Sequence, residues 1–277
     1  MKLNALNTVS VLIPTLVTLI ISTQSYAAES SGSAVVLKAG EVCQGYGPQT
    51  PRDIDNKAGS NSVTFDLNTS ASDMNLCNIH FHNNAEHKAK DFSILAGEGD
   101  SQGYQCGISK SLSEAELRAP AGEICKGLAP GDTIEVHWVH TSCDVDPGAG
   151  LGSCLSEACA NPELRVETQV FTLVNDSNAL SFADVSYGGN QVNGLHQAKA
   201  IPSNTGIPVV FAGSTTGPSY TEQACSALQV TWSVRPQCAK LDINTIGKWC
   251  EGNTFDEDHA HGVRKLVTDV RLLAPIQ

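Results

Sequence analysis

The sequence predicts a mainly β protein: a single domain built on one large, twisted, mostly antiparallel sheet with few short helices. Two observations support this fold class. Most apolar segments are short, rich in β-branched residues and separated by the Gly, Pro, Asn and Asp residues that favour turns. Helical and strand-like segments also do not alternate as they do in a βαβ fold. No linker-like stretch or internal repeat divides the 277 residues into two domains.

The N-terminal segment has the features of a cleavable secretion signal. Lys2 precedes an apolar run over residues 11–21, and the small residues Ser25, Ala27 and Ala28 follow it, as at signal-peptidase sites. The run is short for a membrane-spanning helix, although a retained N-terminal anchor is the alternative. We predict a signal peptide over residues 1–27, a mature domain over residues 28–277, and an exported protein that is periplasmic or secreted.

Seven segments are predicted to form strands because they are short, apolar and β-branched, with turn residues on either side. They cover residues 62–67, 77–82, 133–139, 166–173, 207–212, 228–234 and 267–273. Residues 112–118 are predicted to be helical instead, because Ser111 or Ser113 can cap a helix there and Pro120 stops it.

All ten cysteines follow the predicted signal peptide, and an even number in an exported protein predicts disulfides. They are Cys43, Cys77, Cys106, Cys125, Cys143, Cys154, Cys159, Cys225, Cys238 and Cys250. A thiolate metal site is the alternative, but no pair has C-x-x-C spacing. The three cysteines of residues 143–159 lie close enough to staple a local loop, and Cys238 with Cys250 could form another local bridge. Cys77 lies inside an apolar strand and is a candidate for a free buried thiol.

The charge balance excludes some classes of partner. The formal net charge is −12, and loss of residues 1–27, which contain one lysine and no acidic residue, makes it −13. An acidic surface of this kind argues against nucleic acids and anionic membranes as partners. The oligomeric state is left open.

Four of the eight histidines fall within two strand-like stretches, and His87 follows the first of them closely. His80 and His82 are two residues apart, so on a strand both face one side, while Ile79 and Phe81 face the core on the other side. Two neighbouring imidazoles suit a tetrahedral zinc ion better than a hard, oxygen-preferring cation. A chance pair on a half-buried strand is the alternative.

A second stretch strengthens the zinc hypothesis. Glu135 and His137 share one face of their predicted strand, and His137 would complete three neutral nitrogen ligands with a fourth position open for water, the arrangement of catalytic zinc. Glu135 can accept the N–H on the far side of the His137 ring. Glu86 and His87 have two interpretations: a solvated turn, or a buried carboxylate that orients a hydroxyl near the metal.

These residues resemble the active-site signature of carbonic anhydrases, which consists of H-F-H, then E-H, then E-x-H-x-x-H. The matching residues here are 80–82, 86–87 and 135–140. Residues 211–218 and 230–234 are similar to the alpha-class runs G-S-L-T-T-P-P and V-T-W-x-V. The sequence of residues 78–88 and 137–143 is more similar still to delta-class enzymes and their bacterial relatives. The chain therefore resembles a delta-type carbonic anhydrase with an alpha-class-like fold and active site.

The resemblance implies a ligand set and its supporting residues. His80, His82 and His137 match the ligands of one zinc ion per chain. Glu135 matches the carboxylate behind the third ligand, and His87 and His140 are expected to support the ligands as well.

The resemblance also implies how a substrate is handled. Thr215 matches the threonine that accepts a hydrogen bond from zinc-bound hydroxide, and Glu86 matches the acid that accepts this threonine's own proton. Thr216 is the alternative to Thr215, because Ser214 stands where the family has leucine. Val139, Trp232 and Thr216 are expected to line the pocket for CO2.

The implied activity is that of a lyase: reversible hydration of CO2 to bicarbonate and a proton by metal-bound hydroxide. The chain departs from the alpha pattern in an additional Gly- and Cys-rich loop over residues 143–159. It also lacks the shuttle histidine expected near residues 61–65, so His196, His259 and His261 become candidates for that role. Two alternatives are a cupin-type metal dioxygenase or isomerase, with Glu86 as a ligand to iron or manganese, and a catalytically silent exported zinc-binding relative.

Overall fold

A computed structural model of the protein describes residues 42–43, 46–98, 102–122, 124–216, 220–263 and 267–277. These residues belong to one compact unit, Gly32–Gln277. The predicted signal peptide lies outside the described residues. Within those ranges, no helix has the length and apolar character that crossing a membrane requires.

The described residues form ten strands and two short α-helices. The strands are β1 (Asn75–Asn83), β2 (Phe92–Ala96), β3 (Gly103–Cys106), β4 (Thr133–Thr141), β5 (Leu164–Val174), β6 (Gln191–Val192), β7 (Leu195–His196), β8 (Val209–Ser214), β9 (Gln229–Val234) and β10 (Ala239–Asp242). The helices are α1 (Phe182–Val185) and α2 (Ile243–Cys250), and single 3-10 turns occur at Ala71–Asp73, Gly107–Ser111 and Leu151–Cys154.

A six-stranded mixed sheet dominates the fold, in the order β1-β4-β5-β9-β8, with β10 also paired to β5. The pairs β1–β4, β4–β5 and β8–β9 are antiparallel, whereas β5 pairs in parallel with β9 and β10. The eleven-residue β5 can hold both parallel neighbours on one edge, because β9 pairs with its residues 165–168 and β10 with its residues 171–174. The predicted mainly β class with a large sheet and few helices is confirmed.

Side chains alternate between two cores on opposite faces of this sheet. On one face, Ile79, Phe81 and Trp138 pack with α2 in one apolar cluster. On the other face, Val139 and Trp232 belong to a second cluster. β4 is buried along its whole length, including its glutamate and both of its histidines. Buried polar groups need hydrogen-bond partners, so a buried strand that carries a glutamate and two histidines indicates a functional site.

Two of the seven predicted strands are wrong. Residues 62–67 form no strand, and Phe65 and Leu67 are 47% and 53% exposed, so this segment buries too little apolar surface to join the sheet. Residues 267–273 make a turn instead, in which the carboxylate of Asp269 accepts the backbone N–H of Arg271. Such local side-chain bonds compete with strand pairing.

The predicted helix over residues 112–118 is only a turn. Ser113 and Glu116 do bond to each other as in a capping box, but the following turn does not continue. Helix α2 was not predicted, although Asp242 caps it by accepting the N–H of Asn244 at 3.1 Å. This signal was present in the sequence as an N-cap followed by Ile243 and Ile246.

All ten cysteines form disulfides, which confirms the predicted oxidised state. The pairs are Cys43–Cys225, Cys77–Cys154, Cys106–Cys238, Cys125–Cys250 and Cys143–Cys159. Cys143–Cys159 is a local staple as expected. The predictions of a free Cys77 and of a Cys238–Cys250 bridge are wrong. Cys77 on β1 pairs with Cys154 in the loop over residues 143–159, and Cys238 pairs with Cys106 on β3. Pairing of this kind depends on tertiary contacts and not on sequence distance.

Candidate metal centre

The register of β1 against β4 brings the three predicted ligands together. His80 pairs directly with His137, and His82 pairs with Glu135. A bulge between Leu76 and Asn78 precedes them on β1. Residues 78, 80 and 82 consequently face the same cavity as His137.

The nitrogen atoms of these histidines are spaced for a metal ion. The ligand atoms of His80, His82 and His137 lie within 4.8 Å of one another, and His80 Nε2 is 3.2 Å from His137 Nδ1. Two nitrogens bound tetrahedrally to zinc at about 2.0–2.1 Å would be separated by about 3.3–3.4 Å. His82 Nε2 is buried without a hydrogen-bond partner among the described residues. The donor set therefore fits a zinc ion.

Each of the three rings is held by an acceptor at its other nitrogen. His80 Nδ1 lies 2.6 Å from Asn78 Oδ1, His82 Nδ1 lies 3.2 Å from the Gly262 carbonyl, and His137 Nε2 lies 2.7 Å from Glu135 Oε1. An acceptor at one ring nitrogen places the proton there and leaves the opposite nitrogen free for a metal. The Glu135 contact matches the sequence-based expectation. Asn78 was missed, although its N-x-H spacing repeats that of Glu135 and His137.

Glu135 organises one side of the centre. Its side chain is fully buried, and Oε1 accepts from both His137 Nε2 and His87 Nδ1 at 2.7 Å. Oε2 accepts the backbone N–H of His87 at 2.9 Å. Burial alone would raise the pKa of Glu135, but His87 and the hydrogen bonds from both rings hold the pKa well below its usual value. Glu135 is therefore an ionised acceptor that fixes both neighbouring imidazoles.

Burial also sets the protonation of the two candidate ligands on β1. Desolvation lowers the pKa of His82 to about 4 and holds the pKa of His80 well below its ordinary value. Both imidazoles are neutral near pH 7, as metal ligands must be.

Glu86 is buried next to the ligands, which rules out the solvated-turn interpretation. Its Oε2 lies 3.9 Å from His82 Nε2 and 4.0 Å from His137 Nε2, and has no hydrogen-bond partner among the described residues. Burial would raise the pKa of Glu86, but His82 and the guanidinium of Arg52 lower it. Arg52 Nη1 also donates to the Glu86 backbone carbonyl at 2.9 Å.

Thr215 follows β8 and lines the same cavity as the histidines. Its hydroxyl pairs with that of Ser226 at 2.8 Å. No hydrogen bond between Thr215 and Glu86 is formed in the described part of the chain. Ser226 was not recognised from the sequence, since it lies between the matched residues 211–218 and 230–234 and belongs to neither motif. Residues 217 and 218 of that motif lie outside the described residues.

The cavity has a volume of about 360 Å³ and two chemically different walls. The polar wall includes the three histidines, Glu86, Thr215, Thr216, Glu257 and His261. The apolar wall consists of Val139, Leu151, Leu164, Val166, Val230 and Trp232. Val139, Thr216 and Trp232 therefore lie where the resemblance implied. A cavity of this kind can hold a small apolar molecule against a polar reactive centre.

The remaining histidines are distributed over different parts of the fold. His87 is buried behind the ligands, with its ring centroid 4.9 Å from that of Trp232. His140 lies on the opposite face of β4, where its Nδ1 approaches the Trp138 carbonyl at 3.0 Å. The sheet separates it from the metal-facing side, so strand alternation argues against the expected supporting role.

One of the three histidines considered for proton transfer lines the cavity. His261 is held by Glu257 at 2.8 Å, and its side chain is 43% exposed. His259 lines a separate surface pocket, and His196 bonds to the hydroxyl of Tyr187.

Sequence comparison assigns the chain to a family. The profile described as "Delta carbonic anhydrase" matches residues 71–245, more than half of the chain and the part that contains all three candidate ligands. The chain belongs to the delta carbonic anhydrase family. It is thus a carbonic anhydrase, and its substrates are CO2 and bicarbonate. Because the chain belongs to this family, the cupin-type interpretation no longer applies. No curated protein sequence matches the enzyme.

Solved structures that match the enzyme include two carbonic anhydrases. One is a hyperthermostable carbonic anhydrase from an active hydrothermal vent chimney, with 14% identity over 84% of this chain and 87% of that chain and a TM-score of 0.32. The other is an alpha-carbonic anhydrase from Thermovibrio ammonificans in complex with the inhibitor sulfanilamide. It has 14% identity over 79% of this chain and 84% of that chain, with a TM-score of 0.26.

Proposed function

We propose that this enzyme hydrates CO2 reversibly to bicarbonate and a proton with one zinc ion per chain, held by His80, His82 and His137. One observation carries the proposal: three imidazoles on paired strands present ligand atoms within 4.8 Å of one another. Each ring is bonded through its opposite nitrogen to an acceptor, so all three present a lone pair to the same point.

A zinc ion held by these residues would supply one piece of chemistry: it would lower the pKa of a coordinated water to about 7 and so provide a nucleophile at neutral pH. The protein keeps His80 and His82 neutral by burying them. The carboxylate of Glu135 stays outside the ligand set, where it holds the ring of His137.

The apolar wall is suited to bind CO2. Val139, Val166 and Trp232 offer hydrocarbon and aromatic surface beside the histidines, and none of them places a charged group in the cavity. A linear, apolar molecule can displace water from such a wall at little cost. Binding there holds the carbon atom close to the reactive centre.

Thr215 and Glu86 are proposed to orient the nucleophile. Thr215 is buried in the cavity wall, and its hydroxyl can accept one hydrogen bond while donating another. Glu86 is a buried carboxylate with an unpartnered oxygen in the same cavity, so it can accept a hydroxyl proton. Ser226 is the present partner of Thr215, and Thr216 is the neighbouring alternative for this role.

Export is proposed from the disulfides and the N-terminal sequence. Five disulfides are typical of proteins in an oxidising compartment, and the predicted signal peptide over residues 1–27 would deliver the chain there. The N-terminal mass of the protein recovered from periplasm and medium tests this proposal. A mature start close to residue 28 supports it, and recovery of the full chain from the cytoplasm contradicts it.

Stopped-flow CO2 hydration by the purified mature protein, together with its metal content, tests the proposed function. We expect activity with about one zinc per chain, and loss of both activity and zinc in His137→Ala. His259→Ala is the matched control for zinc content, which it should retain because that histidine lies outside the cavity. Zinc bound without activity would instead identify a silent relative, and activity in zinc-free protein would contradict the proposal.

A further inference from the structure

The loop over residues 143–159, here called the Cys-rich loop, is fastened to β1 beside the metal centre. Cys143–Cys159 closes its base, and Cys77–Cys154 ties it to the strand. The backbone carbonyl of Cys77 accepts the backbone N–H of Gly148 at 3.0 Å, and Ser153 Oγ lies 2.8 Å from the same carbonyl. The loop is thus held against the residue that precedes Asn78.

Asn78 connects the Cys-rich loop to a metal ligand. Its side chain is fully buried, with Oδ1 2.6 Å from His80 Nδ1 and Nδ2 donating to the Gly148 carbonyl at 3.0 Å. Gly148 is itself held against β1, because its backbone N–H donates to the Cys77 carbonyl at 3.0 Å.

The chemistry of these three groups fixes their orientation. A backbone carbonyl can only accept, so the Asn78 NH2 group must face Gly148 and its carbonyl oxygen must face His80. His80 Nδ1 must then carry the proton, which leaves Nε2 with its lone pair beside His137 Nδ1. If the amide turned over, its NH2 group would face His80 Nδ1. The proton would then move to Nε2, and the metal would lose a ligand atom.

We propose that the Cys-rich loop sets the tautomer of His80 through Gly148 and Asn78 and thereby tightens zinc binding. The inference rests on the proposed function, in which His80 is a zinc ligand. His137 needs no such device, because a carboxylate such as Glu135 can only accept. The Asn78 amide can present either its oxygen or its NH2 group to an imidazole. His80 therefore depends on the Gly148 carbonyl, which accepts from the NH2 group and leaves the oxygen facing the ring.

Loss of the Cys77–Cys154 bridge tests the coupling. In Cys77→Ser/Cys154→Ser the loop loses its covalent tie to β1, so the Gly148 carbonyl is held less firmly. We expect zinc affinity, measured by chelator competition, to fall by about tenfold or more. The matched control is Cys106→Ser/Cys238→Ser, which also loses one disulfide but leaves the Cys-rich loop tied to β1. The control should retain the affinity of the unaltered enzyme. Equal losses in both variants would overturn the proposal, because they would reflect general destabilisation.

The substitution Asn78→Asp provides an independent check. Aspartate can only accept, so it holds the His80 proton on Nδ1 without help from the loop. Removing the Cys77–Cys154 bridge in this background should therefore change zinc affinity much less than it does beside Asn78. An equal effect in both backgrounds would contradict the proposal.

Long-range ¹H–¹⁵N spectra of the zinc-free protein report the tautomer directly and do not depend on activity. We expect His80 protonated on Nδ1 in the unaltered chain and a mixture of tautomers in Cys77→Ser/Cys154→Ser. The same single tautomer in both proteins would overturn the inference. If the unaltered protein binds no zinc, the proposed function fails, while these spectra still test the role of the loop.

Discussion

At the scale of single residues, the proposed metal centre depends on acceptors that lie behind the candidate ligands and outside the ligand set. Glu135 has two oxygens and accepts three hydrogen bonds, two of them from imidazoles. Asn78 and the Gly262 carbonyl hold the other two ligand rings. These contacts decide which nitrogen of each ring is free, so their loss weakens metal binding without removing a ligand.

Replacing Glu135 with glutamine should weaken zinc binding by about 10–100-fold. The amide would turn its NH2 group toward at least one of the N–H donors that now share the carboxylate, so a donor would face a donor. Chelator competition measures the effect, and Glu163→Gln, on an exposed acid, is the control. Unchanged zinc affinity in Glu135→Gln would show that the contact does not support His137.

Replacing Thr215 with valine should lower kcat/KM for CO2 hydration by about 10²-fold, because a misoriented nucleophile reacts poorly. Zinc content should not change, since Thr215 is not a ligand. Ser226→Ala should have a much smaller effect, because it leaves the Thr215 hydroxyl available. If Thr216→Val carries the loss instead, the orienting role belongs to Thr216.

At the scale of secondary structure, the strands that carry the metal centre could be predicted and the connections could not. The two-residue spacing of His80-x-His82 and Glu135-x-His137 indicates both a strand and a shared face, so the sequence predicted β1 and β4 together with the histidines that they bring close. The Gly262 carbonyl, the hydroxyl of Ser226 and the bulge on β1 left no periodic signal. They arise from contacts between distant segments. Residues 62–67 show the opposite error, because an apolar pattern does not guarantee burial.

The buried face of β4 opposite the ligands predicts an acid-sensitive fold. Burial lowers the pKa of His140 to about 4, whereas a histidine in an unfolded chain has a pKa of about 6.5. Between these values, the unfolded chain binds a proton that the folded chain does not. The free energy of unfolding should therefore fall by roughly 3 kcal/mol as the pH drops from about 6.5 to about 4, with no further change from His140 below that.

Chemical denaturation of the unaltered protein and His140→Leu across this pH range measures the contribution. The difference between their free energies of unfolding should shrink or reverse in favour of the variant as the pH falls. A difference that stays constant with pH would show that His140 does not titrate as its burial requires.

At the scale of the whole molecule, disulfides connect the metal centre to the rest of the fold. Four of the five bridges join segments 77 or more residues apart, and Cys77–Cys154 reaches β1 next to the ligands. The family and the large sheet were predictable from motifs, since the relevant residues lie close together in sequence. The disulfide pairing was not, because it is decided by which loops meet in three dimensions.

Complete reduction should unfold the enzyme and release its zinc. Removing a native disulfide commonly costs about 2–5 kcal/mol, so loss of all five exceeds the stability of an ordinary domain. Zinc release to a chromophoric chelator, followed with the melting temperature and a thiol titration, measures this. Ten titrated thiols in a protein that stays folded with its zinc bound would contradict the expectation.

The central claim is that three named nitrogen atoms hold a single zinc ion. An anomalous difference map at the zinc edge, from crystals of the zinc-loaded enzyme, tests it most directly. The account predicts one peak bonded to His80 Nε2, His82 Nε2 and His137 Nδ1, with Glu135 outside bonding distance. A peak bonded to His87 or Glu135, or a different nitrogen of any of the three rings, would contradict it.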